Sequence, residues 1–289
     1  MATPMQQLAA ASVPAYFCPP GTKMHILNLG TMNVDEGWLL NGANGSTANN
    51  PSPISKRRDL MFIAGLIDHP ELGLILFETG GAEDVDRQWG EISTDLIPRT
   101  TYEPRHHLPA AIKSTGYDIS DVKAVIVGHL YLDHAGGLEH FRNTGVRFMC
   151  MRRNSNMLVG RRRRGRMGGV YLADYLTLDT LNWQTFNEPQ LDLCTGIILY
   201  HCPGHTPGLC IMQINLAEDG TFIWTTDQFH VKENYTLDQA QGWLLRDHRA
   251  WIANGTFVKR LQRLFRARLI FGHDVEVAEG FIKEKRVYQ

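Results

Sequence analysis

Apolar and polar residues alternate through "KMHILNLGTM" (23–32), the period of a strand with one face buried. "LMFIAGLI" (60–67) and "GLILFETGG" (73–81) flank "DHPEL" and predict a hairpin whose second strand stops abruptly at Glu78-Thr79-Gly80-Gly81. Between the first strand and this hairpin, "NGANGSTANNPSPISKRRD" (41–59) is rich in Asn, Ser, Pro and Gly and reads as a long surface loop. "HHLPAAIKST" (106–115) predicts a short helix, "GYDISD" (116–121) a turn, and "AVIVG" (124–128) a strand that runs straight into His129. "GVRFMC" (145–150) is a further strand, and "GIILYHCPGHTPG" (196–208) and "TFIWTTDQFH" (221–230) form a second strand–loop–strand series. From 236 onward the apolar spacing is that of one or two helices, and "RLIFGHD" (268–274) closes the chain's pattern with a short strand. The order fits an α+β chain folded as an αββα sandwich, with sheets inside and helices outside. Residues 1–23 read as a lightly ordered lead-in and 24–289 as one domain, since no linker divides them.

Composition narrows the class. The 289 residues, 43% of them hydrophobic, can bury a full core. A net charge of -1 gives no global attraction to nucleic acid or an anionic membrane. Five cysteines without a CxxC pair argue for reduced thiols rather than a disulfide framework. No basic segment precedes an apolar run at the N-terminus, and no stretch reaches about 18 consecutive apolar residues. A soluble, cytoplasmic protein is expected.

The chemistry gathers at strand ends. His129, His134, His205, Asp227 and His273 each follow an apolar strand or sit in a Gly-flanked turn, where an open sheet presents side chains to a crevice. Imidazole and carboxylate suit zinc and similar divalent ions. Asp133 and His134 are adjacent, so they share an ion only if the backbone bends tightly, which "HAGG" permits.

His129-x-x-x-Asp133-His134, His205 in "HCPGHTPG", Asp227 in "TTDQ" and His273 in "FGHD" resemble the H-x-H-x-D-H motif and later His, Asp and His of the metallo-β-lactamase superfamily. The match covers roughly residues 24–280. "DQFHVKENY" (227–235) is similar to the stretch after the bridging Asp in the N-acyl homoserine lactonase branch. The resemblance implies one or two zinc ions. His129, position 131, His205 and Asp227 would hold the first. Asp133, His134, Asp227 and His273 would hold the second, with Asp227 bridging. It further implies a hydrolase in which a metal-bound hydroxide attacks the carbonyl carbon of a small lactone. Glu78 stands where the family often has Asp and is expected to orient an imidazole. Asp133, Tyr131 and His230 are the candidate catalytic residues.

This chain departs from the pattern twice. Tyr131 stands where the motif has its second His, and His230 stands where the lactonases have a tyrosine that contacts substrate. A phenol with a pKa of about 10 is a poor zinc ligand beside imidazole. Three readings follow: the two residues have traded roles; Tyr131 swings toward a weaker first ion; or one ion remains. An imidazole is also the better proton donor to a leaving nitrogen, so a lactam or cyclic carbamate hydrolase is an alternative, followed by a thioesterase. From other classes come an iron oxidoreductase on the same fold and a non-catalytic metal-binding module.

Seven arginines between Arg152 and Arg166 read as a solvated face or an electrostatic lip for an acidic substrate. The six tryptophans read as core anchors, Phe229 and Leu132 as pocket walls, and "NWQTF" (182–186) as a further pocket lining.

Overall fold

The computed structural model describes residues 16–156 and 180–289. In chain order its elements are β1 (Lys23–Asp35), α1 (Glu36–Leu39), β2 (Arg57–His69), β3 (Gly73–Phe77), α2 (Val85–Trp89), α3 (Glu91–Leu96) and β4 (Arg99–Thr101). Then come α4 (Leu108–Ser114), β5 (Val122–Ile126), α5 (Leu132–Ala135), β6 (Arg147–Met151), β7 (Asn182–Phe186), β8 (Gln190–Cys194) and β9 (Ile197–His201). The chain ends with β10 (Cys210–Leu216), β11 (Gly220–Thr226), α6 (Lys232–Thr236), α7 (His248–Phe265), β12 (Arg268–Phe271) and α8 (Val275–Glu284).

One sheet has the order β4-β1-β2-β3-β5-β6-β7 and the other β12-β11-β10-β9-β8. The alternation in β2 sorts its side chains into two layers. Leu60, Phe62, Ala64 and Leu66 join Leu108, Ala111 and Ile112 of α4 on the outer face. Met61, Ile63 and Ile67 meet Leu199, Met212 and Trp224 between the sheets. Both faces being covered, the strand reads as a continuous apolar run. On the far side, Trp251, Val258 and Leu261 of α7 cover Ile211 and Ile223 of the second sheet. Helix, sheet, sheet, helix is the expected αββα order.

The 60–81 hairpin forms as expected, β2 pairing antiparallel with β3 from Gly65↔Phe77 to His69↔Gly73. The expected 41–59 loop is exposed up to Lys56, its last three residues belonging to β2. Where helical spacing was expected from 236 onward, α7 begins only at His248, capped by Asp247 accepting from the Ala250 N–H. The strand β10, "CIMQINL", escaped the sequence reading: every residue in it is buried, so it shows no alternation. Of the arginine-rich stretch, residues 157–166 lie outside the described residues, and Arg152 and Arg153 are exposed. No helix among the described residues is long and apolar enough to cross a membrane.

The sheets meet at Trp224, which is 3% exposed and contacts Phe77 edge-on at 6.0 Å between ring centroids. Gly65 makes room for it, since a Cβ there would lie 2.8 Å from the indole. Trp224→Ala should therefore cost about 3–5 kcal/mol, read from denaturant unfolding. A loss below about 1 kcal/mol, the scale of a surface change, would mean the interlayer contact is not what holds the sheets together.

Candidate metal centre

The site residues lie together because their strands end together. β3 runs parallel to β5, and β11 runs parallel to β12. Glu78 directly follows β3, Asp227 directly follows β11, and His129 and His273 follow β5 and β12 after short extensions. His205 comes from the turn between β9 and β10. Asp133 and His134 come from α5, whose single turn is pressed against the 79–81 segment. There Gly136 donates to Gly80 O at 2.9 Å, and a Cβ on Gly136 would lie 2.2 Å from Ala82 N. The tight bend that "HAGG" permits is therefore made.

The Asp227 carboxylate is the centre of the cluster and is 1% exposed. Its Oδ2 lies 3.1 Å from His230 Nε2, 3.2 Å from His205 Nε2 and 3.5 Å from His129 Nε2. Its Oδ1 lies 3.1 Å from His273 Nε2 and 3.3 Å from His134 Nε2. Asp133 Oδ2 completes the second side, 3.5 Å from His273 Nε2 and 3.8 Å from His134 Nε2. Ligand atoms of Asp133, His134, Asp227 and His273 form one group that could hold an ion, and those of His129, His205 and Asp227 form another. The six candidate metal ligands read from sequence, His129, Asp133, His134, His205, Asp227 and His273, are thus brought to one place.

Hydrogen bonds behind the rings fix their tautomers. His273 Nδ1–H donates to Met61 O at 2.9 Å, His134 Nδ1–H to Glu78 Oε2 at 3.1 Å, and His205 Nδ1–H to Gln241 Oε1 at 3.0 Å. Gln241 donates with its other end to Asp227 O, which sets its orientation. Glu78 is in turn held by the Gly128 N–H at 2.8 Å. Each ring so fixed, when neutral as an ion requires, carries its Nε2 lone pair toward the carboxylate. Lone pairs and a carboxylate repel at 3.1–3.3 Å, and a cation between them turns that repulsion into coordination. The spacing fits: ligands about 2.0–2.2 Å from a tetrahedral zinc lie about 3.3 Å from one another. His129 Nε2 and His205 Nε2 have no hydrogen-bond partner although both are fully buried. The donor set fits divalent ions.

Titration follows the same layout. Burial alone would push the Asp227 carboxyl up, but the imidazoles of His230, His134, His273 and His205 hold it well below the usual carboxylate range. Burial pushes His129 well below the ordinary imidazole value and His205 down to about 3. For His134 burial is outweighed by the Asp227, Glu78 and Asp133 carboxylates, which hold it well above that value. A metal requires neutral imidazole and ionised carboxylate, the forms that His129, His205 and Asp227 favour.

Two backbone kinks aim the side chains. Glu78 has φ 66° and Thr226 has φ 41°, left-handed values that cost energy in residues with a Cβ and cluster at functional sites. The recurring "GH" pairs have a steric origin. A Cβ on Gly128 would lie 2.7 Å from Glu78 Oε1, and one on Gly272 would lie 2.5 Å from Asp227 Oδ1. The "KEN" stretch has a structural role. Lys232 N–H donates to Asp274 Oδ2 at 2.8 Å, Glu233 pairs with Arg58 at 2.9 Å, and Asn234 donates to Leu39 O at 3.0 Å.

A pocket opens onto Tyr131, Asp133, Asp227, His230 and His273, and its apolar walls are Met32, Val34, Trp38, Leu60, Ile97 and Leu244. This corrects the expected walls. Phe229 is buried beneath α7, edge-on to Trp251 at 6.0 Å, and Leu132 belongs to the outer core layer. Residues 182–186 form β7, at the edge of the first sheet and away from the pocket. Of the tryptophans, Trp89, Trp224 and Trp251 are core anchors, whereas Trp38 lines the pocket and Trp243 is 58% exposed against it, ring centroids 4.9 Å apart. Gln241 escaped the sequence reading, since only the fold brings it behind His205.

Residues 64–273 match the family model described as the metallo-beta-lactamase superfamily. The chain is 27% identical over 215 residues to an N-acyl homoserine lactonase of a Bacillus species, covering 73% of this chain and 80% of that one. It is 22% identical over 280 residues to N-acyl homoserine lactonase AiiB of Agrobacterium fabrum, covering 91% and 97%. Among solved structures it is similar to an N-acyl homoserine lactone hydrolase with N-hexanoyl-L-homoserine at its catalytic metal centre. There the TM-score is 0.73 at 21% identity, over 89% of this chain and 95% of that one. It is also similar to AidC, a dizinc quorum-quenching lactonase, with TM-score 0.61 at 16% identity over 88% of each chain. The match over residues 64–273, on a chain folded as this one is, makes it a member of the metallo-beta-lactamase superfamily and a metal-dependent hydrolase.

Proposed function

We propose that this chain opens a small lactone of the N-acyl homoserine lactone kind, at a two-zinc centre built on Asp227. The observation that carries the reading is the Asp227 carboxylate, which meets imidazole Nε2 atoms on both oxygens beneath an apolar pocket. His129, His205 and Asp227 Oδ2 would hold one ion, and Asp133, His134, His273 and Asp227 Oδ1 the other. Such a pair, when bound, makes hydroxide available at neutral pH and polarises a carbonyl oxygen.

The rest falls to the chain's own residues. Glu78, Gln241 and Met61 O keep three imidazoles turned inward. Met32, Val34, Leu60, Ile97 and Leu244 give the pocket an apolar wall, and with a present volume of about 20 Å³ it would have to widen along that wall to take an acyl chain. Tyr131, 2% exposed, borders the pocket, and its phenol would serve as a hydrogen-bonding group to the lactone. The lactam and cyclic carbamate alternative rested on His230 as proton donor to a leaving nitrogen. His230 Nε2 instead turns to Asp227 Oδ2 at 3.1 Å, which favours the lactone, whose alkoxide leaves more readily than an amine. Five free cysteines, four of them buried, suit the reducing cytoplasm.

Two outcomes test this. N-Acyl homoserine lactones should be hydrolysed with activity abolished by exhaustive chelation and restored by zinc, read by pH-stat titration of the acid released. Turnover that survives metal removal would sink the reading. Gln241→Leu, which leaves His205 Nδ1 without its acceptor, should weaken zinc binding about 10–100-fold, measured by competition with a fluorescent chelator. Unchanged affinity would show that the His205–Gln241 bond does not support the site.

A further inference from the structure

We propose that His230 is a metal ligand, the third imidazole on the Oδ2 side of Asp227, supplying the ring that Tyr131 does not. This deepens the hydrolase reading and rests on it.

His230 matches its two neighbours in its distance from Oδ2. Its Nε2 stands 3.1 Å from that oxygen, against 3.2 Å for His205 and 3.5 Å for His129. All three separations bracket the edge of about 3.3 Å expected between ligands of one tetrahedral zinc. Like the Nε2 atoms of His129 and His205, that of His230 has no hydrogen-bond partner. At 3.1 Å from a carboxylate oxygen this means that the nitrogen is not aligned on the oxygen. The ring stands beside the oxygen without bonding it, which leaves its lone pair available to an ion. His129, His205 and Asp227 already form a group that could hold an ion; His230, swung inward from beside Oδ2, would bring the donors there to three imidazoles and the carboxylate, the number a tetrahedral zinc takes.

The other roles open to a histidine fit poorly. A core histidine has its nitrogens satisfied, whereas both nitrogens of His230 are buried and unpartnered, with the residue 1% exposed. A proton donor to a leaving group needs its nitrogen free to meet substrate, and Nε2 here faces Asp227.

The backbone delivers the ring to this place. Gln228 N–H closes a turn onto Thr225 O at 3.1 Å, and Phe229 O and His230 O accept from Gly272 and His273 at 2.9 Å each. His230 is thereby laced to the segment that carries another site imidazole, and its ring lies nearly parallel to that of His273, 18° between planes. Tyr131 fills the opposite flank, edge-on to His129 and His205 at centroid distances of 4.7 and 4.9 Å. The two exchanged residues therefore border one ion site, and the imidazole missing at position 131 is present at 230.

The test counts zinc per chain by elemental analysis after dialysis against chelator-buffered zinc, with circular dichroism to verify folding. Wild-type protein should hold two ions, His230→Ala one, and the double variant Tyr131→His/His230→Ala two again, because an imidazole returns to the same site. A structural role for His230 would give no such rescue. Two tightly held ions in His230→Ala, or no rescue in a folded double variant, would overturn the assignment. Should either variant fail to fold, 113Cd-loaded wild-type protein labelled with 15N-histidine decides directly. Cadmium coupling at the Nε2 of His230 supports the assignment, and coupling at the other four rings without it overturns it. Lactone opening is followed on the same samples. Loss of one ion in His230→Ala from a wild-type protein that opens no lactone would support the ligand and overturn the substrate. Wild-type protein that binds no zinc would overturn both.

Discussion

A single buried carboxylate sets the terms for the rest of this structure. Asp227 draws five imidazole nitrogens to within 3.5 Å, three on one oxygen and two on the other. Concentrating so many polar groups away from water costs free energy unless each finds a partner. Three of the rings spend their Nδ1–H on hydrogen bonds behind them, so in the neutral form they cannot satisfy the carboxylate as donors. Positive charge held between them resolves the conflict. The architecture follows from the need to deliver these groups to one point: β3, β5, β11 and β12 all end at the same edge, and the residues just past those ends make the site.

The close fit is visible in the backbone as well as in the side chains. Thr226 takes a left-handed φ immediately before Asp227, and Glu78 takes one immediately after β3. Both are conformations that residues with a Cβ adopt reluctantly, and the surrounding hydrogen bonds hold them there. The three residues of "KEN" extend this restraint outward. They tie the segment after His230 to α1, to β2 and to the start of α8. Their role is distant from any chemistry, and the loop carrying His230 depends on them.

Much of this was legible in the chain because the same physics writes both levels. The 60–81 hairpin could be read from two apolar runs around a polar turn, and the "GH" pairs pointed to the site because only glycine fits beside Glu78 and Asp227. What stayed hidden depends on tertiary direction. The alternation of β1 and the apolar run of β2 say that residues such as Met32 and Leu60 are buried, but not that they are buried at a pocket. Nearness in sequence misled in the opposite sense: Phe229 and Leu132 adjoin site residues yet point into core layers, since a neighbour in a turn faces away from it. Gln241 is separated from His205 by 36 positions and carries no local pattern of its own.

The exchange of tyrosine and histidine between positions 131 and 230 shows how such a site tolerates change. An ion recognises the location and chemistry of a donor atom and is indifferent to the strand that carries it. Position 131 reaches the site from the turn after β5, and position 230 from the turn after β11, yet both border the Oδ2 side of Asp227. On the proposed assignment, moving the imidazole from one turn to the other would conserve the donor set while moving the phenol across the pocket. Coordination and substrate contact would then be separable properties of this centre: the first set by the nitrogens around Asp227, the second by which wall carries the hydroxyl. A change on the substrate side, with the donor set unaltered, is the route by which this fold would shift its preference among carbonyl compounds without losing its metal.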